Sequence, residues 1–160
     1  MSTEKTTAPV LVLTYGNPSR GDDALGTAMF DLLEENPPVN VELLTDFQLQ
    51  IEHATDLRDR EYILFIDAGV SCAEPFELSR LSAIKDDSFT THAMSPASVL
   101  SVFEQIYRRT SPPAYLLTIR AYEFGLGKEM SDSAIENLRK THRFLRQSPP
   151  WEDALAAWPA

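Results

Sequence analysis

Two stretches of this chain are apolar at nearly every position, residues 10–15 (VLVLTY) and residues 62–68 (YILFIDA). A strand with one face in water alternates apolar and polar residues, whereas a strand covered on both faces reads as a continuous apolar run. Each run stops at a glycine, Gly16 of Gly16-Asn17-Pro18 and Gly69. The pair therefore predicts buried parallel strands closed by tight turns.

Helical patterns fill the intervals. After Asp22 and Asp23, acids suited to capping a helix, Leu25, Met29, Leu32 and Leu33 fall at helical spacing until Asn36-Pro37-Pro38 stops them. Residues 41–45 read as a second strand, 46–50 as a loop and Glu52 to Leu57 as a short helix. Residues 74–88 read as irregular with a short edge strand. Ser95-Pro96 is a cap-plus-proline start for a helix with the stripe Val99, Leu100, Phe103, Ile106 and Tyr107. Residues 114–121 form a further strand. Ser133 and Glu136 have capping-box spacing for a last helix, with Ile135, Leu138 and Leu145 on one face. Residues 148–160 read as a loose tail. This alternation predicts an α/β fold, a three-layer αβα sandwich around a mostly parallel twisted sheet. A length of 160 residues suits one domain, with its core at residues 9–147.

Composition narrows the function classes. Fourteen basic and 24 acidic residues give a formal net charge of -10, which repels phosphate backbones and acidic membranes. Cys72 is the only cysteine, so neither an internal disulfide nor a cysteine-cluster zinc site can form. The first eight residues are polar and lack a signal core, and no apolar run nears the ~20 residues of a membrane helix. The expectation is a soluble, cytoplasmic, monomeric protein with no nucleic-acid or membrane partner.

Ligands of open α/β sheets sit beyond the carboxyl ends of the strands. Asp22 and Asp23 follow the first strand, Asp46 the second, and Asp67 ends the third. A lone ionised group at the end of YILFIDA is costly unless it is paired or metal-bound. With His92 ahead of the Ser95-Pro96 helix, these acids offer hard oxygen ligands and one imidazole, a mixture suited to a divalent first-row metal with open positions. Acids at strand ends are also common caps, so each carries a purely structural alternative. Neighbouring carboxylates resist joint ionisation, leaving one available as a general acid or base. The backbone of residues 16–21 is a candidate source of N–H donors for an oxyanion.

The run Gly16-Asn17-Pro18-Ser19-Arg20-Gly21-Asp22-Asp23-Ala24-Leu25-Gly26 resembles the opening motif of the [NiFe]-hydrogenase maturation endopeptidases. Leu64-Phe65-Ile66-Asp67-Ala68 is similar to the second signature of that family, and His92 to its third. The GNPSRGDD wording, Asp46-Phe47-Gln48-Leu49 and Glu123-Phe124-Gly125 look closest to the branch serving soluble, NAD-linked hydrogenases. The resemblance implies an aspartyl-type protease that recognises nickel already inserted in the large-subunit precursor and then removes its C-terminal peptide. It implies metal contacts and catalysis by Asp23, Asp67 and His92, substrate binding by Gly16, Asn17, Asp46 and Gln48, and no tightly bound cofactor. Many members carry an Asp-Gly-Gly-Thr loop after the second strand. Here that loop is Asp46-Phe47-Gln48-Leu49-Gln50, in which Asp46 matches and the Gly-rich stretch after it does not.

Other residues read as structural. His53 and His142 are expected on helix surfaces or partly buried, Cys72 as a small buried residue, and Phe103, Tyr107 and Phe144 as core. Two rivals remain. A peptidyl-tRNA hydrolase also opens with a strand and Gly-Asn-Pro, but it needs a histidine shortly downstream and a basic surface, and here no histidine precedes His53. A nickel-sensing chaperone that binds the precursor without cutting it would use the same residues.

Overall fold

The computed structural model describes residues 7–84 and 94–152. Its strands are β1 (Val10–Tyr15), β2 (Val41–Asp46), β3 (Tyr62–Gly69), β4 (Phe76–Arg80) and β5 (Ala114–Arg120). Its helices are α1 (Leu25–Glu34), α2 (His53–Asp56), α3 (Pro96–Tyr107) and α4 (Asp132–Gln147), with a 3-10 turn at Gly21–Ala24 ahead of α1. The strands form one five-stranded sheet in the order β2-β1-β3-β5-β4. All neighbours are parallel except β4, which runs antiparallel along the β5 edge.

The two apolar runs lie side by side at the centre, Val10 beside Tyr62 and Thr14 beside Ile66. Because successive side chains point to opposite faces, each run serves two cores. Val10, Val12, Leu64 and Ile66 pack with Leu25, Met29 and Leu33 of α1 and Ala134, Leu138 and Leu145 of α4. Leu11, Leu13, Ile63 and Phe65 pack with Ala54 of α2 and with Val99, Leu100 and Phe103 of α3. These two cores make the three-layer sandwich that the alternation predicts.

Several local expectations shift. Helix α4 is capped by Ser131 rather than Ser133, with the Ser131 hydroxyl accepting from Ala134 N at 3.3 Å. Its buried stripe is Ala134, Asn137, Leu138, Thr141 and Leu145, and Ile135 is only half-buried. Ile106 faces solvent because the packed face of α3 is carried by Val99, Leu100 and Phe103. Tyr107 and Phe144 are partly buried against the cores. Trp151 is buried in the core shared with α1 and α4, so the chain just past α4 is anchored rather than loose. Among the described residues, no helix is long and apolar enough to cross a membrane.

Candidate active site

Parallel β1, β2 and β3 deliver their carboxyl ends to one rim. There Tyr15, Gly16, Asn17, Arg20, Asp23, Phe47, Gln48 and Asp67 line a cleft of about 390 Å³. Of the residues that the sequence singles out, Gly16, Asn17, Asp23, Gln48 and Asp67 thus share one site. His92 lies outside the described residues.

The loop from Gly16 to Asp23 is held by its own groups. Asn17 Oδ1 accepts from Ser19 N at 2.9 Å, and Asn17 O accepts from Arg20 N at 3.2 Å, which closes a tight turn. Asp23 Oδ2 accepts from Asn17 N at 2.8 Å, so the second acid of the pair leans back over the strand end. Gly16 has φ +147, and a Cβ there would stand 2.2 Å from the Asp23 carbonyl oxygen. Only glycine allows the close approach that brings Asp23 to the cleft.

Asp22 and Asp23 are consecutive but do different things. Asp22 is fully buried. Its Oδ2 accepts from Tyr122 N at 2.8 Å, Glu123 N at 3.0 Å and Ser131 Oγ at 2.9 Å, and its Oδ1 accepts from Ser131 N at 2.7 Å. Burial alone would raise its pKa, but the donors from Ser131, Glu123 and Tyr122 outweigh it and hold the carboxyl below the usual range. Neither acid caps a helix with its side chain, contrary to the sequence expectation. Asp22 instead pins the cleft loop to the segment between β5 and α4.

Asp67 ends the buried part of β3, and its Oδ1 accepts from Ala68 N at 2.7 Å. Burial pushes its pKa from 3.8 up to about 6; the Ala68 hydrogen bond works against that rise, the Asp23 charge adds to it, and the hydrogen bond with Tyr15 opposes it. Tyr15 is held protonated by its burial and by the Asp67 charge beside it. A half-buried carboxyl that titrates near neutrality, facing a second carboxylate, is what acid–base chemistry requires.

The suggested backbone oxyanion donors are not available. Gly16 N donates to Asp46 O, Asn17 N to Asp23 Oδ2, Ser19 N to Asn17 Oδ1, Arg20 N to Asn17 O and Gly21 N to Lys128 O. Position 18 is proline, so every N–H from 16 to 21 is already committed. Arg20, which the sequence reading passed over, is the one cation among the described residues lining the cleft. Its only signal was being the sole basic residue between Gly16 and Gly26.

Asp46, the residue before Phe47, is not among the residues lining the cleft. Its Oδ1 accepts from Phe47 N at 2.7 Å, and its Oδ2 lies 3.3 Å from His53 Nε2. His53 is buried rather than on a helix surface, and Cys72 is buried as expected. Among the described residues no group of three or more His, Cys, Asp or Glu is placed to hold a metal ion. Of the described residues lining the cleft, Asp23 and Asp67 are the ones that would offer carboxylate oxygens to a cation. Asp23 Oδ1 faces the Gly16 turn, and the mutual repulsion of the two charges is what a bound cation relieves.

No family model matches the sequence, and no curated protein does. Solved structures do match over most of their length. The [NiFe] hydrogenase maturation protease HycI from Thermococcus kodakarensis KOD1 superposes with a TM-score of 0.65 at 19% identity, over 91% of this chain and 94% of that one. The chain has the fold of the hydrogenase maturation proteases. The maturating endopeptidase HybD from E. coli gives 0.62 at 23% identity, over 87% of this chain and 93% of that one. A hydrogenase 2 maturation peptidase from Thaumarchaeota archaeon gives 0.63 at 22% identity, over 88% and 97%. At such identities the likeness establishes the α/β architecture, and the roles of the cleft residues rest on their own geometry.

Proposed function

We propose that this protein is an endopeptidase that removes the C-terminal peptide from the precursor of a [NiFe]-hydrogenase large subunit. The observation that carries the reading is the convergence of Asp23 and Asp67 on one strand-end cleft, with Asp67 titrating near neutrality, in a chain with this fold. Nickel enters as part of the substrate, held by the precursor and met by Asp23 and Asp67, with His92 as the third contact. The wording of residues 16–23 and 46–49 favours a precursor from a soluble, NAD-linked hydrogenase.

The chain's own groups divide the work. The extended precursor tail lies along the wall formed by Phe47 and Gln48, whose amide can both donate to and accept from a peptide backbone. Asp67 in its ionised form accepts a proton from the attacking water, and it returns that proton to the departing amine. Tyr15 keeps the Asp67 carboxyl oriented. Arg20 supplies positive charge where the carbonyl oxygen becomes negative. Nickel supplies a template that fixes which bond reaches Asp67. The fold works free in solution as a monomer, and the expected compartment is the cytoplasm.

The test is incubation of the purified protein with nickel-loaded and nickel-free precursor, followed by intact-mass measurement of the large subunit. Loss of a C-terminal peptide from the nickel-loaded form alone is the expected result. Tight binding of the loaded precursor with no mass change would instead establish a non-cleaving chaperone, and equal cleavage of both forms would remove nickel from the recognition step.

A further inference from the structure

The loop after β2 carries an arrangement that the peptidase reading leaves unused. Gln50 N donates to His53 Nδ1 at 2.8 Å. A ring nitrogen that accepts from an amide carries no proton, so the proton of neutral His53 sits on Nε2. That Nε2 faces Asp46 Oδ2 at 3.3 Å, and the other Asp46 oxygen takes Phe47 N at 2.7 Å. Two hydrogen bonds, Gln50 N to His53 and Phe47 N to Asp46, are thus joined by the 3.3 Å approach of His53 Nε2 to the Asp46 carboxylate. His53 is 8% exposed and sits at the start of α2, while Phe47 is 67% exposed and faces the cleft. The base of the loop is tied down separately: Leu49 is buried, and Gly16 N donates to Asp46 O at 3.1 Å.

An exposed aromatic on the six-residue loop 47–52 has no packing of its own to fix it. Here the backbone on both sides of Phe47 and Gln48 is held by one buried imidazole and one carboxylate. We propose that His53 is a positioning residue that, through Asp46, locks the Phe47–Gln48 wall as the peptide-binding side of the cleft, with Phe47 as an apolar subsite for an extended substrate segment. The inference rests on the peptidase reading for its substrate and on the loop geometry for its mechanism. Asp46 on this account acts on the loop and does not itself touch the peptide.

The experiment compares His53→Asn with His53→Gln. An asparagine can accept from Gln50 N but is too short to reach Asp46, whereas a glutamine amide can occupy the place of Nε2 beside the Asp46 carboxylate. Steady-state cleavage of nickel-loaded large-subunit precursor should show KM raised about tenfold in His53→Asn with kcat within about twofold, as expected when only ground-state and transition-state binding are lost together. His53→Gln should restore KM to within about threefold of wild type. Asp46→Asn should match His53→Asn, and the double variant should lose no more than either. Phe47→Ala should raise KM without altering the fold. In the isolated protein, amide hydrogen exchange at Phe47 and Gln48 should speed up in His53→Asn and not in His53→Gln. Unchanged KM in a folded His53→Asn, or unchanged exchange at Phe47 and Gln48, overturns the proposal. A wild-type protein that cleaves no precursor overturns the peptidase reading instead, and the exchange comparison then decides the role of His53 alone.

Discussion

Replacing Asp67 by asparagine should make the isolated protein more stable and stop peptide release. In the folded chain this carboxyl titrates at about 6 against an ordinary 3.8, chiefly because it is buried. The sign follows from proton linkage. Between those two values the folded state holds the Asp67 proton more tightly than the unfolded chain does, so stability falls as pH rises from about 4 to about 6 and stays lowered above. At pH 7.5 the ionised group then costs a ceiling of about 3 kcal/mol, and partial exposure at the rim reduces this to about 1–2 kcal/mol. Asparagine keeps an oxygen that accepts from Ala68 N, so the substitution removes the charge and spares the hydrogen bond. A gain of that size corresponds to roughly 2–8 °C in Tm for a chain of this length. Thermal melts of both proteins at pH 7.5 and pH 4, beside a peptide-release assay, measure it. The variant should melt higher at pH 7.5, match wild type at pH 4, and release no peptide. Equal melting at both pH values, or cleavage at the wild-type rate by Asp67→Asn, refutes the reasoning.

Asp22→Asn should destabilise by about 2–4 kcal/mol at pH 7 in a chemical melt, since an amide nitrogen would face donors that now meet a carboxylate. The folded pKa of Asp22 is lowered, so the gap to wild type should close as pH falls through that value. Gly16→Ala forces a Cβ to within 2.2 Å of the Asp23 carbonyl. It should cost about 1–3 kcal/mol and impair peptide release more than its loss of stability explains. Leu64→Ala, in the fully buried centre of β3, should cost about 2–5 kcal/mol while processing persists at temperatures where the variant is still folded.

The central strands, the helix starting at Ser95 and the site around Asp67 were legible in the residue order itself. A strand buried on both faces must be apolar throughout, so its single carboxylate stands out wherever it falls. Ser95 could be recognised as a cap because its acceptor role toward Ser98 N is completed within three residues. Information of that range survives in a linear string.

Tertiary structure alone decided what lies across longer distances. Nothing near Asp22 marks it as structural, because its partners Tyr122, Glu123 and Ser131 are 100 to 109 residues away. The same contacts moved the cap of α4 from Ser133 to Ser131, whose hydroxyl both accepts from Ala134 N and donates to Asp22. Only the folded loop shows that its N–H groups from residue 16 to 21 are already spent on other acceptors and that Arg20 lines the cleft beside them. Trp151 looked like part of a loose tail until the surface buried by α1 and α4 gave it a core to join. The sequence specifies which groups are costly to bury; the packed chain decides where each finds its donors, Asp22 inside the fold and Asp23 and Asp67 at the rim of the cleft.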